Sequence, residues 1–133
     1  MAGLLTHLII SLVGFFIALL VLKNWKYGIA FIFGHLAPDL ISFGIAGIKQ
    51  MSLNPSVIMV NPWFYPLAMF GHNFLHWIIF VVILWVIALF LYNFKKLSKK
   101  NFGIIILLLV CLIIGVALHL LFDILVQEAN YWI

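Results

Sequence analysis

Seven side chains carry chemistry that their surroundings do not favour: His7, His35, Asp39, His72, His76, His119 and Asp123. All lie within long apolar runs. An ionised acid at the centre of a bilayer costs about 2.5–3.5 kcal/mol on insertion scales, so such residues mark function by default. Six of the seven form pairs at spacing i, i+4: His35 with Asp39, His72 with His76, and His119 with Asp123. On a helix that spacing puts both side chains on one face, where they offer two ligands to a single ion. Seven residues scattered at random over this length would give roughly 0.3 such pairs, by counting matches to the helical template. Imidazole nitrogens and carboxylate oxygens are ordinary ligands of Zn²⁺ and Mn²⁺, and no thiolate cluster points to an iron–sulfur site. The donors exceed the three protein ligands of a mononuclear catalytic zinc, which leaves room for one or two ions.

The elements that must position these groups follow from composition. The chain has 133 residues, 68% apolar and 8% charged, with a mean hydropathy of +1.32. Soluble domains are about 45–50% apolar and about 25% charged, so the solvent for most of this chain is lipid. That excludes a secreted disulfide scaffold, a disordered tail and a nucleic-acid binder. The net charge of +4 comes from seven Lys, no Arg and three acids, gathered in short loops and not in a basic patch. The single Cys111 sits in an apolar run and closes no disulfide within the chain.

Hydropathy predicts one all-α membrane domain, a bundle of four transmembrane helices over about 3–22, 28–48, 64–92 and 102–126. Helices are the expected form, because continuous apolar runs exclude the alternation of a barrel. Lys23 and Lys26 follow the first span, and Lys95, Lys96, Lys99 and Lys100 follow the third. The positive-inside rule therefore places loops 23–27 and 93–101 in the cytoplasm, with both termini and loop 49–63 outside. The expected location is the inner or plasma membrane. Trp25, Tyr27 and Tyr92 fall at the inner boundary, and Trp63, Tyr65, Tyr131 and Trp132 at the outer one. The first span does not read as a cleavable signal, since its Lys follow the apolar stretch and no A-x-A site appears.

With a rise of 1.5 Å per residue, all seven polar groups fall roughly 5 to 20 Å below the outer boundary. Helices of opposite direction thus converge on one leaflet, as a shared metal site needs. His7 also suits an interfacial position, and Glu128 reads as a solvated interfacial acid. Pro38 either kinks the second span or turns His35 and Asp39 toward the bundle centre. Thr6, Ser42, Asn73 and Gln127 are placed to orient imidazoles and carboxylates. Gly14, Gly44, Gly47 and Gly115 read as close-packing positions, and Trp77 and Trp85 as packing.

The ordered motifs "THLI" (6–9), "GHLAPD" (34–39), "GHNFLHW" (71–77) and "HLLFD" (119–123) together resemble a known family. It is the YdjM-like, LexA-binding inner-membrane family of metal-dependent hydrolases. More remotely, the His/Asp order is similar to that of the zinc-dependent phospholipase C family. The departures are specific. Ile41 stands where the family commonly has a second Asp, Asn73, Phe74 and Leu75 replace its Arg, Gly and Thr, and the usual Thr and Gly beyond Asp123 are missing. The resemblance implies hydrolysis at the membrane by a metal-activated water, with a lipid phosphoester as the preferred substrate class. It makes His7, His72, His76, His119 and Asp123 the expected ligands, with His35 behind them. Asp39 would bridge ions or act as general base.

Other classes of function compete with this one. A divalent-metal transporter also uses H-x-x-x-D faces, but no polar residue continues a path through the inner leaflet. A four-helix cytochrome with bis-His haem does not explain the acids at i+4 or the lack of Arg for propionates. A non-catalytic subunit with a structural metal is the third reading. Oligomeric state is not legible here.

Overall fold

Polar punctuation between the apolar runs sets where helices begin and end. In this computed structural model residues 4–125 are described, and they are helical, with no strand among them. Helix α1 spans Leu4–Leu22. Lys23 then takes a left-handed conformation, and extended Asn24 accepts the Lys26 backbone N–H to cap α2, Trp25–Asp39. A π-helical turn, Leu40–Gly44, leads into α3, Ile45–Gln50. The three pieces run together as one helix, Trp25–Gln50.

Pro38 contributes no N–H to its turn, and the Ser42 hydroxyl donates to the carbonyls of Pro38 and Asp39 at 3.3 and 3.1 Å. Short α4, Pro55–Met59, is capped by Asn54 and lies in what the sequence predicts as an outer loop. Lys49 Nζ sits 3.5 Å over the Trp63 ring, and Asn61 donates to Gln50 at 2.6 Å, tying α3 to the segment before α5. Helices α5, Phe64–Gly71, α6, Phe74–Asn93, and α7, Lys99–Leu125, complete the described chain.

One expectation changes. The run 64–92 is not one helix but α5 and α6, broken at His72–Asn73, where Asn73 is extended and caps α6 through the Leu75 N–H. Among the described residues three helices are long and apolar enough to cross a membrane: Trp25–Gln50, Phe74–Asn93 and Lys99–Leu125. The apolar helix Thr6–Leu22 is shorter.

Helix α2 is the hub. Both α1 and α7 pack along it, yet they meet each other little, while α6 packs on α7 and α5 on the π-turn. Close approach of α2 and α7 depends on two glycines. A Cβ at Gly34 would collide with the Leu112 backbone, and one at Gly115 with the Phe31 carbonyl and, at 2.8 Å, the His35 nitrogen. The small core beneath is Tyr27, Phe31 and Cys111. By contrast, Ile79, Val82, Ile83, Val86 and Ile87 of α6 are all exposed. In water each would forgo much of the about 1.5–3 kcal/mol that burial gives such side chains. Hydrocarbon is the solvent that suits this surface.

Candidate metal centre

Four parts of the fold deliver six polar side chains to one place. His7 comes from α1, His35 and Asp39 from α2, His72 from the α5–α6 break, and His119 and Asp123 from α7. His7, His35 and His119 are fully buried. The His7 and His119 rings stack with centroids 4.2 Å apart. Asp123 lies between imidazoles, with Oδ1 3.2 Å from His7 Nε2 and Oδ2 3.2 Å from His72 Nε2 and 3.4 Å from His119 Nε2. Asp39 Oδ1 faces His72 Nε2 at 3.6 Å and His119 Nε2 at 3.8 Å, and Oδ2 lies 4.0 Å from His7 Nε2. Two sets have one ligand atom from each residue mutually within 4.8 Å: His7, His35, His119, and Asp39, His72, His119.

Backbone carbonyls set which ring nitrogens carry hydrogen. His72 Nδ1 is 2.9 Å from the Ala68 carbonyl, which only accepts, so Nδ1–H donates and the neutral ring presents a lone pair at Nε2. His35 Nδ1 likewise donates to the Gly115 carbonyl at 3.2 Å. His35 Nε2 then accepts from His7 Nδ1 at 3.3 Å, which leaves His7 Nε2 also bare toward the carboxylates. Metal-ligating imidazoles are held in this way, with the far nitrogen bonded to a carbonyl or carboxylate.

The donor set therefore fits a cation. The bare nitrogens of His7 and His72 face carboxylate oxygens, acceptor to acceptor, and His119 Nε2 stands 3.4 Å from His72 Nε2. Neither Asp39 oxygen has a hydrogen-bond donor among the described residues. With neutral imidazoles the cluster carries two negative charges in a largely buried space, which one divalent ion balances. These buried His and Asp groups can hold a metal ion.

His76 is not brought into this cluster. The break at His72–Asn73 ends the shared helical face, and His76 Nδ1 instead donates to the Phe70 carbonyl at 3.1 Å while its ring stacks on Phe70. Trp77 is more than packing, since its Nε1 donates to the Gly71 carbonyl at 2.7 Å. His76 and Trp77 thus donate to carbonyls at the end of α5, as lipid requires. Ser42 serves the π-turn and Asn73 caps α6, so neither orients an imidazole here; Thr6 is half-buried beside His7. Gln127 and Glu128 lie outside the described residues.

Sequence reasoning missed Ser11. It is 2% exposed, one turn along α1 from His7, and its hydroxyl has no hydrogen-bond partner among the described residues. The available signal was its i+4 spacing from His7. Compared with protein-family models, curated proteins and solved structures, the chain matches none.

Proposed function

We propose that this chain is a membrane-embedded, metal-dependent hydrolase acting on a lipid or membrane-associated phosphoester. The observation that carries the reading is the convergence of bare imidazole nitrogens on Asp39 and Asp123. His7, His72, His119 and Asp123 would hold one Zn²⁺ or Mn²⁺ beside Asp39, with His35 steering His7. The bound ion supplies Lewis acidity, which lowers the pKa of water and polarises a phosphoryl oxygen.

Asp39 takes the role of general base, because its oxygens lie beside the cluster with no hydrogen-bond donor to them among the described residues. It accepts a proton from the attacking water as the water oxygen bonds to phosphorus and the bond to the leaving oxygen breaks. That proton then passes to the leaving oxygen. His72 is the least buried ligand and marks the side from which substrate arrives.

The order of the His and Asp motifs, which resembles the YdjM-like hydrolases, supports the same reading. Six of seven Lys lie on the loops after α1 and around the start of α7. On this reading α1 is a fourth span, those loops are cytoplasmic, and the metal centre serves the outer leaflet. Metal transport is the weaker alternative, since the surface between α1 and α7 beyond the cluster is lined by apolar residues alone.

The test is phosphoester turnover by the purified protein in phospholipid mixed micelles with added Zn²⁺ or Mn²⁺. Product should form with wild type and fall to background with Asp39→Asn. A metal-loaded wild type that releases no phosphorylated headgroup or diacylglycerol overturns the proposal.

A further inference from the structure

Because α1 and α7 diverge from their meeting point at the cluster, a groove of about 570 Å³ opens between them, floored by Phe31 of α2. Its walls are apolar throughout. Ile9, Ile10, Leu118 and Phe122 line it near His7 and Asp123 in the chain, and Val21 and Leu107 lie toward the other ends of α1 and α7. Ile17, Val21, Leu107 and Val110 are all at least 40% exposed, so the groove opens sideways to its surroundings.

From Ile10 to Val21 the groove runs about 17 Å along α1, close to the about 15 Å of hydrocarbon thickness that one lipid acyl chain fills. It is long enough for one hydrocarbon chain. One end, at Ile10 and Phe122, comes within a helical turn of His7 and next to Asp123 in the chain, and the groove itself presents no charged side chain. Such a sequence of surfaces complements an amphiphile whose polar end lies at the cluster.

We infer that the groove between α1 and α7 seats one acyl chain of a bilayer lipid, holding that lipid's ester-linked headgroup region at the His7–Asp123 end. The inference rests on the hydrolase reading for what happens at that end, and it names the substrate as an acyl lipid drawn sideways from the membrane. The groove then acts as a positioning surface. It fixes depth, so that the reacting phosphoester meets the cluster and does not slide past it.

The test uses the full chain in phosphatidylcholine vesicles carrying a phospholipid with a diazirine in one acyl chain. A diazirine near the carbonyl should label Ile10 and Leu118, and one near the methyl end should label Val21 and Leu107. Native mass spectrometry should find one phospholipid retained after detergent exchange. Filling the groove with Val110→Trp displaces several methylenes, so retention should fall about tenfold or more. Ile87→Trp on the outer face of α6 should not change it. Elemental analysis of Val110→Trp should show metal content equal to wild type, which establishes that the variant is folded.

Labelling spread equally over Ile83 and Ile87, or groove positions joined to a second copy or to residues 126–133, overturns the inference. Metal present with no retained lipid defeats the groove and leaves the hydrolase reading standing. Retained lipid without metal defeats the hydrolase reading alone.

Discussion

His72 Nε2 and Asp123 Oδ2 face each other at 3.2 Å, although the bond from His72 Nδ1 to the Ala68 carbonyl leaves Nε2 of the neutral ring without hydrogen. An imidazole lone pair aimed at a carboxylate is stable only with a cation or a proton between them. Two features build that pair: the helix break that ends α5 at His72 and the backbone carbonyl that takes its Nδ1 hydrogen. Each can be altered separately.

Replacing Asp123 by Asn keeps shape and removes charge. The centre then holds one negative charge in place of two, and bound Zn²⁺ or Mn²⁺ should be lost. Chelator treatment of wild type should lower its unfolding temperature, whereas the variant should no longer respond. For a ligand at about 100 times its Kd, that linkage is worth roughly 2.7 kcal/mol. Thermal unfolding with and without chelator reads it.

His76→Ala should keep its metal. It removes a bond to the Phe70 carbonyl at the helix break, costing about 1 kcal/mol of stability. A shared helical face across 64–92 would make the same substitution abolish binding. Metal content and unfolding temperature of one sample separate these outcomes.

His35→Ala should weaken the metal by about 10- to 100-fold without changing its stoichiometry. His35 acts through His7, holding that ring by the bond at 3.3 Å while itself anchored on Gly115. Competition with a calibrated zinc chelator measures the shift. A halved stoichiometry would instead assign His35 to a second ion.

Gly115→Leu should separate α2 from α7, because the added Cβ meets backbone atoms of Phe31 and His35, which cannot rotate away. Overpacking of this kind costs about 1–3 kcal/mol. Since His35 and His119 lie on the separated helices, metal affinity should fall with stability. Gly44→Ala, with open space around its Cβ, is the matched control.

How much of this was legible in the sequence depends on whether local rules carried the geometry. His35–Asp39 and His119–Asp123 lie on unbroken stretches of α2 and α7, so periodicity alone placed both members of each pair on one face. His72–His76 failed because Asn73, read as a side chain that orients imidazoles and carboxylates, is a helix cap where one helix ends and another starts. The π-turn after Asp39 and the structural work of Ser42 left no pattern in hydropathy. Nor did the groove, whose existence depends on how far α1 and α7 diverge over α2. The apolar count marked the solvent, while Gly34 and Gly115 carried the packing that brings the His residues together.

The central claim is that this cluster is built around a divalent ion, and elemental analysis of the purified chain tests it most directly. Wild type prepared in metal-replete medium should carry one Zn²⁺ or Mn²⁺ per chain, and the double variant Asp39→Asn, Asp123→Asn should carry none. A metal-free wild type, or equal metal in the folded double variant, would contradict the account.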